Sequence, residues 1–470
     1  MKYDIILNEC KEKITNLINI NKKINEKQIL LVAKDIYDIY KKKYKDIKLG
    51  DIITIIKCCF TVKYKQNDKV IDTRCVRDCE FLFDKIKIPS EFKKSLDHFE
   101  KLRNLYQPVQ KSKEWFEYRH NRITASDVGE AIDLNPYSCV ENFIIKKSDP
   151  SFKFLDNENV YHGKKYEQIA TSIYEYIYNN KVVEFGALPS DKYELLGASP
   201  DGICSSQSLD YKFSPLLGTM LEIKCVVKRT IYTSGKIVGH ICPFYYYCQV
   251  QQQLECCDLD KCDFWQCKIT EYKSRNAYLV DECTNTLHTV GINSEEVIID
   301  NRIKKGVLLK FLPKIWSEEF NGDLIDWKSK FIYPPNLLMC ENEYDTWIAE
   351  TMTNWHNTYP DIAETHYFEK VVYWKLDLSH NVTIKRDINF FQSILPILNQ
   401  TWERVIYYRN NIDKLQELKD IAAKRTKYIK FDTTIKINND IISKKIKFLD
   451  YSSKIKELKI KSFEDDQFLD

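Results

Sequence analysis

Between residues 163 and 249 the chain carries four short segments that each join a local folding signal to a chemically loaded side chain. They are Gly163-Lys-Lys-Tyr-Glu167, Ser199-Pro-Asp201-Gly202, Leu221-Glu222-Ile-Lys224 and Tyr246-Tyr-Cys-Gln249. Helical and strand patterns alternate around them. Residues 163–178 read as a helix, with Tyr166, Ala170, Ile173 and Ile177 along one side. Residues 193–203 and 219–227 read as strands, residues 244–255 as a second helix, and Asp263 to Thr270 as a further strand. This order predicts a mixed α/β (α+β) fold with a central mixed sheet flanked by helices.

A strand over residues 221–225 turns Leu221, Ile223 and Cys225 to a core and sets Glu222 and Lys224 together on the other face. A carboxylate and an ammonium two residues apart can place a metal ion and a water side by side. The same pair equally describes a surface ion pair on an edge strand. Asp201 shifts the balance. Leu196-Gly-Ala-Ser-Pro-Asp-Gly reads as a strand entering a tight turn, with Gly202 able to take positive φ. A strand paired with residues 221–225 would carry Asp201 to Glu222. Mg²⁺ typically takes one or two carboxylates plus substrate phosphate, and this pair meets that demand.

Glu167 would be a third carboxylate, or simply a solvent-facing helix residue. Gln249 shares with Gln253 a helix face away from Tyr246, Val250 and Leu254. It could hydrogen-bond a substrate or belong to an ordinary polar face. Upstream lies Trp115-Phe-Glu-Tyr-Arg119-His-Asn-Arg122-Ile-Thr-Ala-Ser126. Arg119 is a candidate bidentate phosphate clamp. Thr124 or Ser126 can cap the following helix, whose N-terminus favours anions.

Apolar residues make up 44% and charged residues 30% of the 470 residues, the balance of a globular protein. A net charge of +3 means that any nucleic-acid surface must come from local clustering. The start has no apolar signal region, and no stretch is long enough to span a bilayer, so an intracellular, cytoplasmic protein is expected. The 16 cysteines then read as free thiols. Cys256, Cys257, Cys262 and Cys267 lack the paired spacing of zinc ribbons and read as small core residues.

Before residue 100 the pattern is mainly helical, with Ile29, Ala33, Ile36, Tyr37 and Tyr40 at helical spacing. After about residue 300 it reads as helical again, with a stripe of Ile303, Val307, Phe311, Ile315 and Trp316. A long helix follows over 388–423, interrupted at Pro396, and then a lysine-rich tail. The expected division is a helical accessory domain over 1–105, a core over 106–295 and a mainly helical region over 296–470.

The series W-x3-R-x3-ITAS, GKKYE, GASPDG, LEIKC and YxxQVQ resembles the YqaJ and lambda-exonuclease branch of the PD-(D/E)XK nuclease superfamily. The resemblance covers about residues 110–290, and the chain's style is most similar to giant-virus members. It implies a restriction-endonuclease-like core and Mg²⁺ or Mn²⁺ as cofactor. Asp201 and Glu222 would ligate the metal, with the Ile223 carbonyl as a further ligand. Glu167 would act through water or a second metal. Lys224 would orient the attacking water, Gln249 would position water or substrate, and Arg119 and Ser126 would hold a terminal 5′ phosphate.

The implied activity is 5′→3′ exonuclease action on linear duplex ends in viral recombination, repair or defence. An endonuclease, a CRISPR-adaptation type of nuclease and a non-catalytic DNA-binding recombination partner are the alternatives. Implied partners are DNA, further copies of the chain in a homo-oligomer, and a recombination or helicase protein; the location would be a viral factory. The stretch between Asp201 and Glu222, with Ser205-Ser-Gln-Ser and Phe213-Ser-Pro, is longer than the family hairpin. The four-cysteine iron–sulfur pattern of some superfamily members is not matched.

Overall fold

The computed structural model describes residues 26–44, 86–108, 112–152, 157–314 and 328–434, with isolated positions before residue 57. Its strands in chain order are β1 (Ile123–Thr124), β2 (Val182–Val183), β3 (Leu188–Pro189), β4 (Leu196–Ala198), β5 (Gly202–Cys204), β6 (Met220–Cys225), β7 (Lys261–Glu271), β8 (Leu287–Val290), β9 (Glu295–Glu296), β10 (Lys305–Pro313), β11 (Lys330–Ile332) and β12 (His366–Lys385). Helices of eight or more residues are α1 (Glu26–Tyr40), α2 (Lys93–Asn104), α3 (Lys113–His120), α4 (Val140–Ser148), α5 (Glu158–Tyr178), α6 (Phe244–Cys257), α7 (Glu341–Thr358), α8 (Ile388–Asn410) and α9 (Leu415–Thr434).

The expected central mixed sheet is present. Its strand order is β11-β10-β12-β7-β6-β5-β2, with β8 and β9 joined beside β12. The β6–β7 and β12–β8 pairs are parallel; the other pairs in this sheet are antiparallel. A small second sheet, β1-β4-β3, lies alongside.

Helices cover both faces, as mixed sheets require for burial on two sides. On one face Tyr166, Ile169, Ala170, Ile173 and Tyr174 of α5 pack on Leu221, Ile223, Trp265 and Ile269. The Trp265 indole N–H donates to the Ala170 carbonyl at 3.0 Å and fixes the height of α5 on the sheet. On the other face Val250 and Leu254 of α6, with Phe391, Ile394 and Leu398 of α8, cover Met220, Cys262 and Phe264.

Several expectations need correction. The region after 296 holds long helices, but it also contains β10, β11 and β12, which extend the same sheet beyond residue 295. The stripe of Ile303, Val307 and Phe311 is largely strand β10, while Ile315 and Trp316 lie outside the described residues. Lys305–Pro313 is buried on both faces, so its apolar residues run almost without alternation and imitate a helical stripe. Helix α8 passes through Pro396 unbroken. Proline removes a hydrogen bond and costs about 3 kcal/mol inside a helix. The buried row Phe391, Ile394, Leu398 and Val405 outweighs it.

Helix α5 starts at Glu158, capped by the Asn157 side chain, a turn before Gly163. Helix α1 appears as expected, but Ala33 and Ile36 share a core with β10, β12 and α7. Phe99 and Leu102 of α2 likewise sit in the core beside β4. The lysine-rich tail lies outside the described residues.

The long Asp201–Glu222 connection folds away as a tucked turn. Ser205 donates its N–H to Lys181, Ser214 donates to Ser206, and Gln207 bridges to Phe213. All four residues Ser205 to Ser208 are buried.

Candidate active site

Antiparallel pairing of β5 with β6 sets Gly202 opposite Leu221, which leaves Asp201 level with Glu222. Strand β5 begins at Gly202, and the Asp201 carboxylate takes over where strand pairing would continue. Its Oδ2 accepts the Ile223 N–H at 2.7 Å. In a strand the N–H and C=O of one residue point to the same edge, so the Ile223 carbonyl also faces Asp201.

Gly202 does not have positive φ, contrary to the sequence expectation. A Cβ there would sit 2.3 Å from Val182 Cγ1, so close approach of β2 is what requires glycine.

Strand alternation puts Leu221 and Ile223 into the α5-side core. Glu222 and Lys224 face α6. Glu222 is 1% exposed, and its two oxygens are engaged by three donors. Oε1 accepts from Gln249 Nε2 at 2.6 Å and from Lys224 Nζ. Oε2 accepts from Gln253 Nε2 at 2.8 Å. Gln253 also donates to the Ser199 carbonyl at 3.3 Å and so ties α6 to the segment entering Asp201. Lys224 lies 4.5 Å over the Tyr246 ring, a cation–π contact.

The glutamine run of α6 divides its work by helical position. Gln249 and Gln253, four apart, share the face on Glu222. Gln252 donates to the Ile123 and Gly197 carbonyls at 2.8 and 3.0 Å, joining β1 to β4. Gln251 donates to the Lys385 carbonyl and accepts the Asp387 N–H. Sequence reasoning assigned no role to Gln253; its i, i+4 relation to Gln249 was the available signal.

Burial raises the Asp201 carboxyl well above the ordinary carboxylate range, and the charges of Glu222 and Glu167 add to it. Burial pulls Lys224 down, but Glu222, Tyr246 and Asp201 raise it on balance. Glu167 is half-buried on α5, three residues from the Ala170 anchor, and its charge reaches both Asp201 and Cys225. The buried Glu222 and the half-buried Asp201 and Glu167 thus act on one another's charge, with one lysine among them. Such a like-charge group is relieved by a divalent cation, and its all-oxygen donors suit Mg²⁺ or Mn²⁺. The residues fit that group, although no set of three metal-ligating side chains is already gathered in ligand geometry among the described residues.

Arg119 and Ser126 form a second cluster. Arg119 lies 4.8 Å over the Trp115 ring, and its Nη2 donates to Ser126 Oγ at 3.4 Å. Beneath them Asp127 is buried. It accepts from Thr124 Oγ1 at 2.7 Å, pairs with Lys146 at 2.5 Å and pairs with Lys147 at 2.9 Å. Burial pushes the Asp127 carboxyl up, but Lys146, Lys147 and Arg119 hold it well below the usual range. Arg409 of α8 donates to the His120 and Lys147 carbonyls at 2.6 and 2.9 Å.

Parallel pairing of β1 with β4 points the residues after each strand, Ser126 and Ser199 to Asp201, toward the same end. The two clusters are therefore neighbours through the fold, although no described hydrogen bond or ion pair joins them directly.

The cysteine group does not converge. Cys256, Cys257 and Cys262 are buried in the α6-side core, and Cys267 faces the α5 side. All four are free thiols.

Residues 114–260 match the YqaJ-like viral recombinase domain, and that stretch contains every side chain of both clusters except Arg409. The chain is also 34% identical over 342 residues to a protein of Acanthamoeba polyphaga mimivirus. That alignment takes in 73% of this chain, and the chain spans only 60% of the relative's length.

Two solved structures share 14% identity with it. They are an alkaline exonuclease from Laribacter hongkongensis and the same enzyme in complex with dAMP. Each match covers 67% of this chain and 99% of the other, with TM-scores of 0.31 and 0.30. Among the described residues no helix is long and apolar enough to cross a membrane.

Proposed function

We propose that this chain is a divalent-metal-dependent DNA nuclease that removes nucleotides from the 5′ ends of linear duplex DNA. The observation that carries this reading is the meeting of Asp201, Glu222, Lys224 and Gln249 at the start of the β5–β6 pair. Asp201 and Glu222 would hold Mg²⁺ or Mn²⁺, with the Ile223 carbonyl beside them and Glu167 behind. A bound divalent ion supplies charge stabilisation at a phosphate and lowers the pKa of water.

The chain's own groups do the rest. Lys224, held by Glu222 and Gln249, presents an ammonium where a water and a phosphate oxygen would meet. Gln249 and Gln253 each donate to one oxygen of Glu222 and keep its carboxylate from turning, which leaves lone pairs for a metal ion. The match of residues 114–260 to the YqaJ-like viral recombinase domain supports work on DNA in recombination.

Arg119 and Ser126 would grip a terminal 5′ phosphate, with Lys146 adding charge nearby. Arg119→Ala should lower cleavage of 5′-phosphorylated duplex by about tenfold or more, the scale of one charge-assisted hydrogen-bonded pair. Duplex with a 5′ hydroxyl should be much less affected. Equal loss on both substrates would remove the clamp, and cutting of closed circles as fast as linear DNA would make the protein an endonuclease.

Gln253→Ala should weaken Mn²⁺ binding, read by titration calorimetry, because Glu222 Oε2 loses its 2.8 Å donor. The expected loss is about tenfold, as when a residue supporting a metal ligand is removed. Unchanged Mn²⁺ affinity would show that Gln253 only holds α6 in place.

A further inference from the structure

An aromatic series runs from solvent to the site lysine. Tyr137 is 59% exposed, on the turn that follows the Arg119–Ser126 segment. Its ring meets Tyr245 edge-on at 5.8 Å, Tyr245 meets Tyr246 at 4.2 Å, and Lys224 lies 4.5 Å over Tyr246. Arg229 approaches the same Tyr246 ring at 5.7 Å.

The series is held from below. A Cβ on Gly129 would sit 2.9 Å from Tyr245 Cβ, so that glycine lets α6 come down onto the segment carrying Ser126. The Tyr137 N–H donates to Asn135 Oδ1 at 2.9 Å and fixes the turn that presents the ring. The rings therefore bridge the segment of the Arg119–Ser126 cluster and the segment of the carboxylate cluster.

We propose that Tyr137, Tyr245 and Tyr246 form a stacking platform for unpaired bases next to the phosphate being cut. The proposal rests on the nuclease reading above and adds the form of substrate the site prefers. A single strand offers a π-face at every base and a phosphate between successive bases. Rings followed by Lys224 and Arg229 match that repeat. A paired duplex end shows only its last base-pair face, so it would engage Tyr137 less. The platform thus favours ends that carry a short unpaired 5′ tail.

The test is the affinity of the full chain for dye-labelled, 5′-phosphorylated duplex in EDTA, with and without a short unpaired 5′ tail. Removing the exposed ring in Tyr137→Ala or Tyr137→Ser should weaken tailed binding about fivefold or more, the scale of one lost stacked base. Binding of the fully paired duplex should hardly change, and Tyr137→Trp should restore the tailed affinity. Wild-type affinity of the Ala and Ser variants for tailed DNA would overturn the platform. Equal weakening on tailed and paired DNA would overturn it too, as would failure of Tyr137→Trp to restore binding. Cleavage by the wild-type chain in Mg²⁺ is read separately. Cleavage without a tail preference sinks the platform alone, whereas a tail preference with no cleavage sinks the nuclease reading.

Discussion

Asp201→Asn is expected to lower DNA cleavage by about a hundredfold or more while leaving the protein as stable as the wild type, or more so. The two effects separate because Asp201 has two jobs of opposite sign. For chemistry it would be the carboxylate opposite Glu222 that holds a divalent ion. For stability it is a half-buried acid near Glu222 and Glu167, which desolvation and like charge both disfavour. An asparagine keeps an oxygen for the Ile223 N–H and removes the repulsion.

Glu222→Gln should behave differently. Both Glu222 oxygens accept from donors, so the new amide N–H₂ must face one of them. That variant should lose activity and also stability, by about 1–3 kcal/mol. Thermal melting in EDTA, with end-labelled cleavage in Mg²⁺, checks both. An Asp201→Asn protein that cleaves like wild type would remove Asp201 from the site.

The second large effect is on folding, not chemistry. Asp127 is buried against Lys146 and Lys147, and Lys147 is itself buried. Asp127→Ala should destabilise the protein by about 3–5 kcal/mol, because it leaves an uncompensated buried ammonium. The pH dependence follows from the depressed Asp127 carboxyl. A carboxylate whose folded pKa lies below its unfolded value of about 3.9 contributes fully above that value. Its contribution is lost as the pH falls through the acid range toward the folded pKa. Stability of the wild type should therefore drop more steeply than that of Asp127→Asn below about pH 4. Parallel acid curves for the two proteins would contradict the ion-pair account.

What the sequence made legible was local and periodic. Two-residue alternation in Leu221-Glu222-Ile223-Lys224 is enough to separate core from site, and the fold obeys it. The four-residue step from Gln249 to Gln253 carries the same kind of information. Pairing of β5 with β6, which levels Asp201 with Glu222, was foreseeable from the two strand patterns and their turn.

What was hidden depends on tertiary context. Strand β10 is covered on both faces, so its sequence loses the alternation that marks a strand. Strand β12 did carry a signal, the β-branched and aromatic residues of Val371-Val-Tyr-Trp374 and Val382-Thr-Ile384. Pro396 could not reveal how much buried surface α8 would set against it. Nor could Pro-Asp-Gly tell a glycine needed for positive φ from one needed to admit Val182.

The most direct test of the central claim is digestion of linear duplex labelled at the 5′ or the 3′ end, in Mg²⁺ and in EDTA. The metal-held carboxylate site and the 5′ clamp predict rapid release of the 5′ label as short product, slow loss of the 3′ label, and no release in EDTA. Release that persists in EDTA, or an intact duplex in Mg²⁺, would contradict a metal-dependent nuclease built on Asp201, Glu222 and Lys224. Preferential loss of the 3′ label would contradict the assigned direction.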